Sequence, residues 1–354
     1  MNKYLRHHPL ASRKLTLETV EHLEKKSKIK WAPKNHKHVY TYYNYNEGTK
    51  KKLWKSVTGL KSIYFSFNSE VISKSLSLKS KNKKYQGKSQ VEIMWLWFES
   101  AGFGTIVHNK QESHTLFGTI PSEQDVRRTL LKWRIGDAVD ISMNKNYYLQ
   151  CMRTLKLDLF SAKYAVCILK QFNFGLMYKK KMHEDGFEIY TYPFDFEKKF
   201  IQKAVEIKIY SEKMGVGGTL DELWYNPKTK VWIVSDWKCT SKKIVKINLK
   251  KINSQLHLKK IKDYKDMFSD LQNIVRKPQF WVNKSYIEYA LQLSIYHYIL
   301  KTCYKNNSNF KYKCNEIHIV RLWHEEDGPQ VISFRSNLFE DRIRKIEELL
   351  NSKK

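Results

Sequence analysis

The chain has 354 residues, of which 42% are hydrophobic and 14% aromatic, enough for a packed core and too many for global disorder. Its formal net charge is +30, from 65 Lys and Arg against 35 Asp and Glu, and a field of that sign attracts polyanions such as nucleic acid. Part of the excess is compositional: only 11 of the 65 are Arg, and Lys, Asn, Ile and Tyr are abundant together, as in an A/T-rich coding sequence.

Residues 1–50 read as a basic, irregular arm whose first 17 residues hold Lys, Arg and His without an acid. The arm ends in Val39-Tyr40-Thr41-Tyr42-Tyr43-Asn44-Tyr45-Asn46, whose alternation predicts a strand. Residues 53–78 place Trp54, Val57, Leu60, Ile63, Tyr64 and Phe67 at a spacing suited to short helices, and a Lys-rich loop follows over 79–88. From Ser89 the pattern is helical, with Ile93, Met94, Trp97 and Phe98 on one side. It passes Gly102 and Gly104 into a segment where His108 and Glu112 stand four apart, one face of a helix. Residues 121–172 predict further helix whose role is packing.

Residues 203–210 alternate with period two and predict a strand. A hairpin follows, from Gly217-Gly218-Thr219-Leu220-Asp221-Glu222-Leu223-Trp224 through a turn at Asn226-Pro227 to Val231-Trp232-Ile233-Val234-Ser235-Asp236-Trp237-Lys238. Pairing these runs brings Asp221 near Asp236 and Lys238, and the latter two, two apart in a strand, share a face. Two carboxylates and an ammonium at one end of a sheet make a poor core. They suit a hard divalent cation held against a phosphodiester. A Lys-rich insertion over 242–285 precedes a helix over 286–304 striped by Tyr289, Gln292, Leu293, Tyr296 and Leu300. Strands are expected over 316–323 and 330–335, and an amphipathic helix over 337–351. The fold class expected is α/β, a mixed sheet flanked by helices, because antiparallel strands come first and a crossover helix later.

In this order, Gly104-Thr105-x-x-His108, Gly218-Thr219-x-Asp221, Asp236-x-Lys238 and Tyr289-x-x-Gln292-Leu293-x-x-Tyr296 resemble the PD-(D/E)XK nuclease superfamily in its RecB-like branch. Ser56-Val57-Thr58, the Tyr85-x-Gly87 loop and Leu322-Trp323-His324 are further similar to RecB-like nucleases of large DNA viruses and phages. The resemblance covers residues 54–325 and implies a restriction-endonuclease-like core. It divides the chain into the arm, 1–50, and one nuclease domain, 51–354, with a helical part over 51–200 and a catalytic sheet core over 201–335.

The resemblance implies that Asp221 and Asp236, with the Trp237 carbonyl, hold one or two Mg²⁺ or Mn²⁺ ions, and that His108 adds an imidazole. Lys238 would orient water or neutralise the scissile phosphate. Gln292 and Tyr296, with Tyr289 on the same stripe, would steady Lys238 and meet the nucleic-acid backbone. Thr240 and Ser241 would donate to a neighbouring phosphate, and Glu112 would orient His108. Two other acid-x-lysine runs compete. Asp263-Tyr264-Lys265 lies among lysines and reads as a solvated helix or loop. Glu206-Ile207-Lys208, with Asp195 upstream, lies on a strand, and its glutamate is expected to face solvent or pair with lysine, at most reaching the edge of the site.

The expected activity is metal-dependent hydrolysis of DNA, by an exonuclease acting on single strands or ends in replication, recombination or repair. A structure-selective endonuclease such as a junction resolvase is the alternative, and a non-catalytic nucleic-acid-binding protein a third. The five cysteines are odd in number and widely spaced with no CxxC, which argues against an iron–sulfur cluster and a disulfide framework. No helicase P-loop is present, so the chain would be a stand-alone nuclease or a subunit served by a helicase or other replication or recombination protein in trans. No apolar run approaches the roughly 20 residues of a membrane span and no secretory signal opens the chain, so an intracellular, reducing location is expected and no membrane partner. Mitochondrial or nuclear targeting, or a viral or phage origin, stays open.

Overall fold

Alternating β-branched and aromatic residues, broken by the Asn226-Pro227 turn, produce the central sheet. The computed structural model describes residues 30–34, 37–44, 49–80, 85–90, 92–94, 96–97, 108, 201–238, 244–247, 258, 261–276, 284–303, 312–321 and 330–352. Three short strands come first: β1 (Lys30–Lys34), β2 (Lys37–Asn44) and β3 (Thr49–Lys52), an antiparallel sheet in the order β1-β2-β3. The end of the basic arm is therefore regular, and its last strand crosses position 50; the β-forming run from Val39 to Tyr43 finds partners on both sides.

The second sheet holds β4 (Lys55–Ser56), β5 (Ile201–Ser211), β6 (Val216–Asn226), β7 (Val231–Lys238), β8 (Cys314–Arg321) and β9 (Gln330–Arg335). It is mixed, as the alternation of hairpin and crossover predicts: β6–β7 and β8–β9 are antiparallel, β7–β8 parallel. The β6–β7 hairpin closes because Asn226 Oδ1 accepts the amides of Lys228 (2.9 Å) and Thr229 (3.1 Å), while Lys230 takes a left-handed φ of 56°.

Both edges of β6 are used, and their use creates the site. Val216 and Gly217 pair with β5 and also with β4, so β4 and β5 lie on opposite edges. Glu222 to Tyr225 pair with β5 and also with β7, so β7 shares the edge that β4 begins. Among the recorded pairs, residues 218–221 have no ladder partner on that shared edge. The sheet forks there.

Helix α1 (Val57–Tyr64) starts on β4: Ser56 Oγ accepts the Gly59 amide at 2.9 Å, and Val57, Leu60 and Tyr64 are buried. Helix α2 (Ser69–Lys79) is capped by Asn68. Helix α4 (Lys284–Cys303), which follows α3 (Ser269–Val275), is buried all round from Ala290 to Leu300 rather than along one stripe. It packs on β5, β7 and β8 and also meets α1 and the last helix, α5 (Glu340–Asn351). No helix among the described residues is long and apolar enough to cross a membrane.

The Lys-rich insertion is less solvated than its composition suggests. Asp263 caps a short 3-10 turn by accepting the Lys265 amide at 3.0 Å, and directly after it Met267, Phe268 and Leu271 enter the core. The reading of that segment as solvated is corrected: its lysines mask an apolar face. Residues 322–329, with Leu322-Trp323-His324, lie outside the described residues, as do 121–172.

His297 on α4 is 3% exposed, its Nδ1 2.8 Å from the Tyr312 hydroxyl. Burial, assisted by Lys301, pushes its pKa down to about 4. The unfolded chain binds a proton near pH 6.5 that the folded protein refuses, so stability is full above that pH and falls as pH drops toward 4. Urea midpoints at pH 7.5 and 4.5 are expected to show a loss of about 2–3 kcal/mol from this residue, a contribution missing in His297→Gln.

Candidate metal centre

The fork in the sheet gathers acids from three strands. β5 pairs Val205 with Glu222 and Ile207 with Leu220, so Glu206 stands opposite Asp221. β6 pairs Glu222 with Ser235, so one step further Asp221 stands level with Asp236. Register thus aligns Glu206, Asp221 and Asp236 in a row across β5, β6 and β7. The neighbouring pair shows the other face of the sheet: Ser235 Oγ donates to Glu222 Oε2 at 2.6 Å, and both are fully buried.

Two local departures from regular strand open this row. At the fork the Trp237 amide donates to Asp221 Oδ2 at 2.7 Å, so a carboxylate fills the gap in the ladder. Glu206 has φ 49°, a left-handed conformation rare for a residue with a side chain. Its carboxylate is thereby brought 3.5 Å from His108 Nδ1. The expectation that Glu206 faces solvent or pairs with lysine is corrected. Only its place opposite Asp221 could have signalled this, and that place follows from strand register.

His108 is helical and half-buried, its Nδ1 3.6 Å from Asp221 Oδ2 and its ring edge-on to Trp237 at 5.6 Å between centroids. The ligand atoms of His108, Glu206 and Asp221 all lie within 4.8 Å of one another. Burial pushes the imidazole down, but Asp221 and Glu206 together more than reverse this and hold it up at about 9. The Asp221 carboxyl is raised well above the ordinary range, by burial first and then by Asp236.

Asp236 is 1% exposed and holds the Lys238 ammonium on Oδ2. That ammonium also sits 4.9 Å above the Tyr289 ring. Burial lowers the Lys238 pKa, but Asp236, Asp221 and Tyr289 outweigh it and the net shift is upward, so the side chain is a cation at neutral pH.

The α4 stripe divides its tasks. Tyr289 touches Lys238, whereas Tyr296 is buried against Gly218. A Cβ on Gly218 would stand 2.8 Å from the Tyr296 hydroxyl, so glycine is needed for that close approach. Gln292 is buried beside them. Glu112, Thr240 and Ser241 lie outside the described residues.

His108, Glu206 and Asp221, one imidazole and two carboxylates, form a hard donor set with a single nitrogen, which fits Mn²⁺ and Mg²⁺ better than a thiophilic metal. Asp236 stands level with Asp221 but is outside this group, its Oδ2 on Lys238. Glu206→Gln is expected to weaken Mn²⁺ binding about 10- to 100-fold in calorimetric titration. Unchanged affinity would remove Glu206 from the donor set. The chain matches no family model and no curated protein.

Proposed function

We propose that the protein is a metal-dependent DNA nuclease with a restriction-endonuclease-like core, hydrolysing phosphodiester bonds as an exonuclease on single strands or ends. The observation that carries this reading is the row of Glu206, Asp221 and Asp236 across three strands, capped by His108 and flanked by Lys238. Burial and mutual repulsion disfavour such a gathering of carboxylates, and a divalent ion would relieve it beyond what His108 and Lys238 already do.

Asp221, Asp236, Glu206 and His108 would hold the divalent ion. When bound, it supplies Lewis-acid stabilisation of the charge that grows on the phosphate. Lys238 is too firmly protonated to serve as a base at neutral pH. Its role is to place a positive charge against the scissile phosphate, with Asp236 and Tyr289 holding it there. The net charge of +30 draws the polyanion to the site.

The test is a digestion series on 5′-labelled, 3′-labelled and circular single-stranded DNA, with Mg²⁺, with Mn²⁺ and with chelator. Linear strands are expected to be degraded only with metal, while circles survive. Cleavage of circles would favour a structure-selective endonuclease, and no cleavage of any substrate would sink the nuclease reading.

A further inference from the structure

The opposite end of the sheet has a cavity of about 560 Å³, between the C-terminal half of α4, the start of β8, the end of β9 and the start of α5. In the parallel β7–β8 pair Cys314 stands opposite Trp232 and Ile319 opposite Asp236. The cavity is therefore on the order of 15 Å along the strands from the carboxylate row. It is separate from the metal centre and does not depend on how that centre is read.

Its wall is more apolar than polar, with a few polar groups set into it. His297 and Tyr312 are joined there, and the Ser336 hydroxyl donates to the Cys314 carbonyl at 2.7 Å. The rim is cationic, with Lys301, Lys313 and Arg335 against one acid, Glu340, among the described lining residues. Glu340 is neutralised by Lys301 at 2.5 Å. Among the described residues neither Lys313 nor Arg335 is recorded in an ion pair, and the one acid opposite Arg335 in the β8–β9 ladder is Glu316, half exposed and engaged by His318 at 3.4 Å. The first turn of α5, twelve residues long, also begins here, and its N-cap Phe339 offers no side-chain acceptor to the helix amides. Its second acid, Asp341, is matched by Arg344 at 2.8 Å.

Lys313 and Arg335 on the rim, neither in a recorded ion pair, favour an anion at the mouth, and the volume exceeds what a simple ion fills. We propose that this cavity binds a phosphate-bearing ligand of nucleotide size, with Arg335 gripping the phosphate as a fork, Lys313 adding charge, and Tyr312 and His297 facing the remainder. The phosphate belongs either to a free mononucleotide or to one unit of a bound strand.

The test uses the full chain in chelator at fixed ionic strength, with no divalent ion, so that cleavage plays no part. Burial pushes the Cys314 thiol in the wall up to about 11, so alkylation is run at about pH 9 over hours. Its rate there, mapped by mass spectrometry, reports occupancy, and Cys303 serves as the internal control. Thymidine monophosphate is expected to slow Cys314 alkylation about fivefold or more and to raise the melting temperature by several degrees, while thymidine does neither. Protection by a 20-mer of oligothymidylate without protection by the mononucleotide assigns the phosphate to a strand. Lys313 and Arg335 are both exposed, so the double variant Lys313→Gln/Arg335→Gln should melt normally and lose the protection. No protection by either phosphate compound, or protection that persists in the double variant, overturns the proposal.

Discussion

Asp236→Asn is expected to leave the fold intact and lower metal-dependent cleavage by about a thousandfold or more. The substitution is nearly isosteric at a position that is 1% exposed, so packing changes little. It removes one charge from the acid row and also the counter-charge that holds Lys238. On the proposed nuclease reading, both the ion and the cation facing the phosphate are then misplaced, and the two losses fall in one variant. Circular dichroism and a melting curve check the fold, and single-turnover digestion checks the rate. Cleavage within a fewfold of wild type would show that Asp236 has no part in the chemistry.

Arg342→Met is expected to destabilise the protein by about 3–5 kcal/mol, a large share of a typical 5–15 kcal/mol. Arg342 is 1% exposed, forks Asp270 at 2.9 and 2.6 Å, donates to the Met267 carbonyl and lies 5.2 Å from the Phe268 ring centroid. This pair bolts the Lys-rich insertion to α5. Methionine leaves the Asp270 carboxylate and the Met267 carbonyl without their donor. Urea midpoints measure the loss, and Asp270→Leu added to Arg342→Met should recover part of it, since paired apolar residues restore packing without a buried charge. A loss under about 1 kcal/mol would show the pair to act like a surface contact.

Period two made β6 and β7 legible, because Val231 to Val234 read as a buried strand and Asn226-Pro227 as its turn. The composition of 286–304 likewise announced α4, though not that it is enclosed on all sides, a consequence of packing between the sheet and two helices. Asp221, Asp236 and Lys238 were legible together because hairpin pairing relates them locally. Glu206 was not: Val205-Glu206-Ile207-Lys208 looks like plain alternation, and neither its φ of 49° nor its place opposite Asp221 is written in the segment itself. The fork between β4 and β7 was equally hidden, since β4 is two residues long and pairs across about 160 positions of chain. The apolar face of 264–271 was obscured by its lysines.

Anomalous diffraction from crystals soaked in Mn²⁺ tests the metal centre most directly. A peak bounded by His108, Glu206, Asp221 and Asp236, lost in Asp221→Asn, is the expected result. A fully loaded crystal with no peak there, or with Mn²⁺ bound only elsewhere, would contradict it.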